Sequence, residues 1–380
     1  MKKFFSFLFK TVVFLLKTIV SVLCLGAAVM VLYLFAAGFT DVEAGSESEQ
    51  VSYTIMDRFD MLMTNTISDS LDGVLSIKKV YWLSDDDLVA PEPNQDRYGK
   101  NQDPAAMEEV LKQAEELLDG QKTLFDTSVE LKKGSEINYY LDETILVITW
   151  KQVIDNSVYT FSEVKIADPS QFRRFLADGK FASGSKYLAT EMASSVNAVV
   201  ASNGDFYSFR DLGIVVYDST LMRSEGYYMD TCFVKGNGDL EMVPAREMRD
   251  PAVMQQYIED NEVRFSLSFG PILIKDGQIV NEPATYPVGE GKVPNARAAL
   301  CQLDTLHYLI VAVNAEPPYD KGHTLKVMTE NLYELGCKQA YNLDGGQSAT
   351  IVMNDELVNY VYQRLLSDII YFATAIPDGE

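Results

Sequence analysis

Histidine is almost missing from this sequence, with two among 380 residues, His307 and His323. Cysteine is nearly as rare, with four. A transition-metal site needs several such ligands at short spacing. No His, Cys and carboxylate cluster of that kind is present, which argues against zinc. Cys24 falls in an apolar run, and the remaining three are an odd number, so there is no disulfide framework. Pairing of Cys232 with Cys301 stays open, but buried free thiols at Cys232, Cys301 and Cys337 are the better reading. No Asn-x-Ser/Thr acceptor occurs, which leans toward a bacterial envelope over a eukaryotic lumen. Basic residues are also in short supply, 32 against 55 acidic, for a net charge of −23. Residues 1–40 hold four lysines and no acid, so residues 41–380 carry −27. A body this acidic excludes general binding of nucleic acid, which relies on clustered Lys and Arg. An anionic substrate must meet a local basic pocket.

Apolar residues are abundant, 47% of the chain with 11% aromatic, enough for a core and against wholesale disorder. One stretch is more apolar than any core needs. Lys2, Lys3, Lys10 and Lys17 precede an uncharged run from Thr18 to Phe39. As a helix that run spans roughly 33 Å, against a hydrocarbon core of about 30 Å. A cleavable leader has a shorter apolar region and a better small-residue exit than Ala36-Ala37-Gly38. The expectation is a single-pass anchor in the cell membrane. The lysines lie N-terminal to it, which puts residues 41–380 outside.

Three segments follow in order. Residues 1–40 form the tip and anchor. Residues 41–135 read as a helical stalk or accessory region. Within them, residues 51–75 have helical spacing and residues 84–103 read as an acidic loop. Asp103-Pro104 then opens a helix with a stripe of Met107, Val110, Leu111, Ala114, Leu117 and Leu118, stopped at Gly120. From residue 136 the texture changes to strands, with Ile145–Trp150 and Val158–Ile166 among the first. Asp168-Pro169 reads as the start of a short helix closing at Gly179, with Phe172, Phe175 and Leu176 on its apolar face. Strands are expected at Val196–Ser202, Gly213–Tyr217, Ala298–Gln302, His307–Val313 and Gln339–Leu343. A helix is expected over Thr324–Leu335, with Gly336 as its stop. Many strands with few helices make residues 136–380 α+β, built on a mainly antiparallel sheet with a few packing helices.

Four segments can carry chemistry. Tyr341 to Thr350 reads YNLDGGQSAT, where a strand sends Asn342 and Asp344 to one side. Gly345 and Gly346 then allow a tight turn whose backbone N–H groups suit an oxyanion, although Asp-Gly is equally a hairpin cue. Ala201 to Tyr207 repeats the logic, with Asn203 and Asp205 on one side and Tyr207 offering a ring to a sugar. Arg297 opens a buried strand, placed either to grip phosphate or to form a surface ion pair. Thr324 caps a helix start, and His323 beside it reads equally as a general acid or base and as a surface imidazole. His307, inside an apolar strand, reads as structural.

Taken in order along the chain, these segments resemble the phosphodiester glycosidase family. SNGDFYSF is similar to that family's Asn-Gly-Gly-Phe-Phe segment, and SFGPILIKDGQ to its Gly-Pro strand. NARAALC is similar to its Pro-Arg-Thr-Ala segment. GHTL with YNLDGGQSAT resembles its Gly-x-Thr-Leu and Asn-Leu-Asp-Gly-Gly-Gly signature. Asp205 stands where the family has its second Gly, Ala298 where Thr is common, and Gln347 where it has the third Gly. The resemblance covers about residues 136–380. It implies hydrolysis of a sugar-1-phosphodiester, such as an N-acetylglucosamine-1-phosphodiester, in envelope or exopolysaccharide glycans, with no cofactor required. On it, Arg297 is the phosphate clamp and His323 an acid or base. Asp344 and Asp205 are the carboxylates. Asn203, Asn342, Tyr207, Thr324, Gln347 and Ser348 contact substrate, Gly345 and Gly346 give backbone donors, Glu316 is a weaker acid and Arg364 a second cation. Two alternatives stay open. One is a catalytically weak module that binds phosphorylated glycans. The other is a metal-dependent phosphodiesterase in which Asp205 and Asp344 share Ca²⁺ or Mg²⁺.

Overall fold

The structure is a computed structural model that describes residues 81–377 except 85–87, 227, 246, 249, 281–290 and 320. The expected anchor at residues 18–39 and the helix at 51–75 lie outside the described residues. Among the described residues no helix is long and apolar enough to cross a membrane. Contacts divide the chain into Met1–Lys78 and Lys79–Glu380, and the described residues all lie in the second unit.

The strands, in chain order, are β1 (Tyr98–Asn101), β2 (Ile137–Leu141), β3 (Ile145–Ile154), β4 (Ser157–Ile166), β5 (Phe172–Leu176), β6 (Val200–Asn203), β7 (Gly213–Tyr217), β8 (Thr220–Glu225), β9 (Thr231–Val234) and β10 (Leu240–Val243). They continue with β11 (Phe265–Leu267), β12 (Ile272–Lys275), β13 (Gln278–Ile279), β14 (Arg297–Asp304), β15 (His307–Asn314), β16 (Gln339–Leu343), β17 (Ile351–Met353), β18 (Glu356–Leu357) and β19 (Asp368–Phe372). Among the described residues five short α-helices accompany them: α1 (Glu108–Gln113), α2 (Glu115–Leu118), α3 (Ala189–Ser195), α4 (Pro251–Asp260) and α5 (Leu325–Glu334). Nine strands form one sheet in the order β1-β2-β3-β4-β15-β14-β16-β12-β13, and five form a second, β18-β17-β6-β19-β5. All their pairings are antiparallel, as the composition of short strands and tight turns predicts. The turn from β3 to β4 is Asp155-Asn156, both at positive φ, a two-residue hairpin in the conformation that Asp and Asn tolerate.

The main core lies between the two sheets. Ala298, Leu300, Ile310 and Leu343 from the large sheet meet Val200, Ile351, Ile370 and Phe172 from the small one. The opposite face of the large sheet is covered by α5 and by the stripe of α1 and α2, with Met107, Ala114, Leu118, Met328 and Leu332 packed on Ile148, Val311 and Ala340. Two expectations change here. The boundary placed at residue 135 falls inside this unit. Within the segment read as a loop, β1 adds an edge strand to the large sheet, pairing Tyr98 with Tyr140. Buried Glu163 on β4 accepts the N–H groups of Leu124 and Phe125 at 2.6 and 2.8 Å and contacts His307 at 2.7 Å. Residues 98–125 are therefore part of the sheet body, and His307 is the structural histidine expected. The helix from Asp168 to Gly179 is also replaced. A single turn at Pro169–Gln171, capped by Asp168, gives way to β5, which pairs Phe172 with Phe372 and Leu176 with Asp368. Pairing with β19 overrides helix spacing and turns Arg174 inward with Phe172 and Leu176. Cys232, Cys301 and Cys337 are buried free thiols, so Cys232 and Cys301 do not form a disulfide.

Candidate active site

The large sheet hands its chain to the small sheet at one place, where β16 ends at Leu343 and β17 begins at Ile351. Asp344 to Thr350 makes the crossing. Its glycines are needed for close approach. A Cβ on Gly345 would lie 2.6 Å from the Ala296 carbonyl, and Gly346, at φ +60°, donates its N–H to the same oxygen at 3.0 Å. The expected oxyanion nest at Gly346 is thus filled by the protein's own backbone. Asn203, at the end of β6, holds both ends of the crossing. Its amide donates to the Asp344 carbonyl at 2.9 Å and its Oδ1 accepts from the Thr350 N–H at 3.3 Å. Asn342 donates to the Gly270 carbonyl at 2.7 Å, while its buried Oδ1 has no partner.

The Asp344 side chain emerges from this crossing 13% exposed, in an ion pair with Arg364, which is 33% exposed. Arg364 Nε also donates to Ser348 Oγ at 2.5 Å. Burial pushes the Asp344 carboxyl above the usual aspartate range, and Ser348 and Arg364 pull it back. The Arg364 guanidinium lies 5.1 Å from the ring of Phe206 and 5.4 Å from that of Phe209. The two rings stack at 4.4 Å, and Phe209 is 39% exposed. A carboxylate reachable by water thus stands beside a guanidinium and an aromatic wall, which suits a sugar next to an anionic group.

Behind Phe206 lies a drier cluster. Arg174 Nε and Nη2 both donate to Asp368 Oδ2, at 2.9 and 2.7 Å, with no exposure on either side chain. Asp205 Oδ2 is 3.9 Å from Arg174. Its carboxylate accepts from the Ser268 N–H at 2.7 Å, from Arg210 Nη2 at 3.1 Å, and from the Phe206 N–H. Gly204 has no room for a side chain, since a Cβ would fall 2.2 Å from Asp368 Oδ2. Burial pushes Asp368 up to about 6, Arg174 pulls it down, and Asp205 adds to the rise. Burial alone would lower the pKa of Arg174, but Asp368 and Asp205 outweigh it and raise it. Asp205 and Asp368 share Arg174, and burial, with Asp205 beside it, pushes Asp368 toward its acid form.

Asn203, Asp205, Asn342, Asp344, Gly345, Gly346, Ser348 and Arg364 are therefore gathered around the crossing, with Gln347 exposed on it. Other expected residues are employed elsewhere. Arg297 Nε donates to the His323 carbonyl at 3.0 Å and Nη2 to the Val293 carbonyl at 2.7 Å, so this guanidinium braces two backbone segments. His323 contacts Tyr159 Oη through Nδ1 at 2.7 Å and the Asp155 carbonyl through Nε2 at 3.4 Å, and it is buried rather than on the surface. Thr324 caps α5, accepting from the Val327 N–H at 3.2 Å. Glu316 pairs with Lys132 at 2.8 Å and Lys151 at 3.4 Å. Tyr207 is buried against Phe181, with Arg174 5.4 Å from its ring, so Phe206 and Phe209 take the place expected for it beside the carboxylate. A shared hard cation does not fit Asp205 and Asp344, because the oxygens of Asp205 accept N–H groups and those of Asp344 face Arg364. Among the described residues no group of three or more His, Cys, Asp or Glu is placed to hold a metal ion. Sequence reasoning missed Arg174, Arg210 and Asp368. The alternation of FRRFL was the available signal for Arg174, and nothing local marked Asp368.

Residues 196–373 match the model of the phosphodiester glycosidase family. No curated protein sequence matches the chain. Among solved structures, the fold is similar to the catalytic domain of zebrafish N-acetylglucosamine-1-phosphodiester alpha-N-acetylglucosaminidase, auto-inhibited by its pro-peptide. The TM-score is 0.50 at 19% identity, covering 68% of this chain and 92% of that one. A hypothetical protein from Synechocystis aligns at TM-score 0.48 and 14% identity, covering 63% of this chain and 64% of that one.

Proposed function

We propose that this chain, whose residues 196–373 match the model of the phosphodiester glycosidase family, hydrolyses the bond between a sugar's anomeric carbon and a phosphodiester oxygen in an envelope or exopolysaccharide glycan. The observation that carries the reading is Asp344. It is the carboxylate of the matched segment that keeps solvent access while burial moves its pKa upward. Water attacks the anomeric carbon and gives its proton to Asp344, whose charge also faces the oxocarbenium-like transition state. The carbon–oxygen bonding pair leaves with the phosphate, which departs as a phosphomonoester and needs little protonation. Asp344 then returns its proton to solvent. Arg364 and Ser348 fix the carboxylate's orientation, and Phe206 with Phe209 supplies a flat wall for the sugar. The Lys-flanked run Thr18–Phe39 supports a membrane-anchored body on the outer side.

The test is product analysis. The purified full chain is incubated with a small panel of methyl phosphodiesters of sugar-1-phosphates, with and without chelator. Free reducing sugar and methyl phosphate are expected in both conditions. Release of sugar-1-phosphate would instead show cleavage at phosphorus and a phosphodiesterase. Binding of every diester with no product would show a phosphoglycan-binding module.

A further inference from the structure

Arg210 follows the aromatic turn and has only one of its three nitrogens engaged. Its side chain is 9% exposed. Nη2 donates to Asp205 Oδ1 at 3.1 Å and to the Ser268 carbonyl at 2.5 Å. Nε and Nη1 are buried and have no partner. A buried donor without an acceptor is costly, and more so on a cation, so such groups are rare unless a ligand completes them. The surrounding charge points the same way. Arg174, Arg210 and Arg223 gather against two buried carboxylates, Asp205 and Asp368, with Asp211 exposed at the edge of Arg223. Arg223 donates through Nη1 to the carbonyls of Tyr207 and Arg210, and its Nη2 is also buried without a partner. Three guanidiniums thus face two buried carboxylates, and the cluster is short of acceptors.

Its location ties it to Asp344. The Arg210 guanidinium lies 5.9 Å from the Phe206 ring and 5.4 Å from that of Phe269. Arg364, the partner of Asp344, sits 5.1 Å from the same Phe206 ring. One ring is therefore shared by a guanidinium bound to the carboxylate and a guanidinium with unfilled donors. In a sugar-1-phosphodiester, phosphorus is two bonds from the anomeric carbon. We propose that Arg210 binds the phosphate oxygens of the substrate, in the role the sequence suggested for Arg297. Asp205, standing in place of a family glycine, fixes the Arg210 fork by holding Nη2, which leaves Nε and Nη1 for the ligand. An arginine suits this because its charge persists at any working pH and its donors are planar and fixed. The phosphate's belonging to a glycosyl diester rests on the glycosidase reading, while affinity for phosphate does not.

The experiment titrates the full chain with inorganic phosphate and with dimethyl phosphate by calorimetry, comparing wild type with Arg210→Lys and Arg210→Gln. Arg210→Lys keeps a cation beside Asp205 but loses the fork. Both substitutions are expected to weaken binding at least tenfold. As a check independent of variant folding, phenylglyoxal labelling of wild-type Arg210 is followed by mass spectrometry and is expected to slow when phosphate is present. Unchanged affinity in a folded variant, or labelling of Arg210 that phosphate does not slow, overturns the proposal and leaves Arg210 as a counterion of Asp205. Phosphate binding at Arg210 without release of sugar from any diester would sink the glycosidase reading alone.

Discussion

Asp344 and Asp368 are both ion-paired with an arginine, yet they sit in different solvents. Arg364 is one-third exposed, so the Asp344 pair can exchange partners with water and substrate. Arg174 and Asp368 have no exposed side-chain area, and Asp205 and Ser266 close the rest of the cage. The first pair is open to a ligand. The second fixes β5 against β19 and the turn after β6 against both, because a buried charge without its partner is intolerable. The difference teaches that proximity to the site does not make a carboxylate reactive; access does.

The comparison breaks most strongly at Arg174. Arg174→Met leaves two carboxylates buried with only Arg210 and Arg223 near, and it should cost about 3–5 kcal/mol of stability. Denaturant unfolding of the full chain would measure it. A loss below about 1 kcal/mol would show that water already reaches this cluster.

Asp344→Asn should do the reverse. It is nearly isosteric and keeps the contacts with Ser348 and Arg364, so the thermal midpoint should stay almost constant while kcat falls about 100-fold or more. In wild type, the acid limb of kcat should lie above that of an ordinary aspartate, because burial raises this carboxyl and activity needs its ionised form. A stable and fully active Asp344→Asn protein would remove Asp344 from the chemistry.

The finest test reads the buried pair by pH. Asp368 is raised from 3.8 to about 6, so the folded state binds a proton that the unfolded chain has released. Its contribution to stability is complete below about pH 4 and is lost as pH rises through about 6. The gap in thermal midpoint between wild type and Asp368→Asn should therefore shrink in wild type's disfavour over that window. A wild-type midpoint that rises with pH there, relative to the variant, would mean the carboxyl is charged throughout.

Much of this architecture was legible. Gly213–Tyr217 and Gln339–Leu343 are strands at the residues expected, because alternating or continuous β-branched and aromatic residues bounded by Gly and Asp leave little choice. Thr324 and Gly336 mark the ends of α5 for equally local reasons, a side-chain cap and a φ of +80°. Asp250-Pro251 carries the same cap-and-proline signal for α4 and was readable but unread. Phe172 to Leu176 was not decidable locally. Its apolar residues satisfy both the helical and the strand period, and the choice was made by β19, nearly two hundred residues later.

The sequence by itself determined the antiparallel texture, the acidic body, the apolar N-terminal run and the ordered motifs that bring Asn203, Asp205 and Asp344 to strand ends. These depend on side-chain type and on spacing within a few residues. It placed Asp205 and Asp344 in the same local frame, strand then Asn-x-Asp. Only the tertiary structure separated them. It set Asp205 against Ser268, Arg210 and Arg174, where donors occupy both oxygens, and it set Asp344 where two sheets exchange a chain and solvent enters. Burial and partner identity control whether a carboxylate can react, and both arise from segments far apart in the chain.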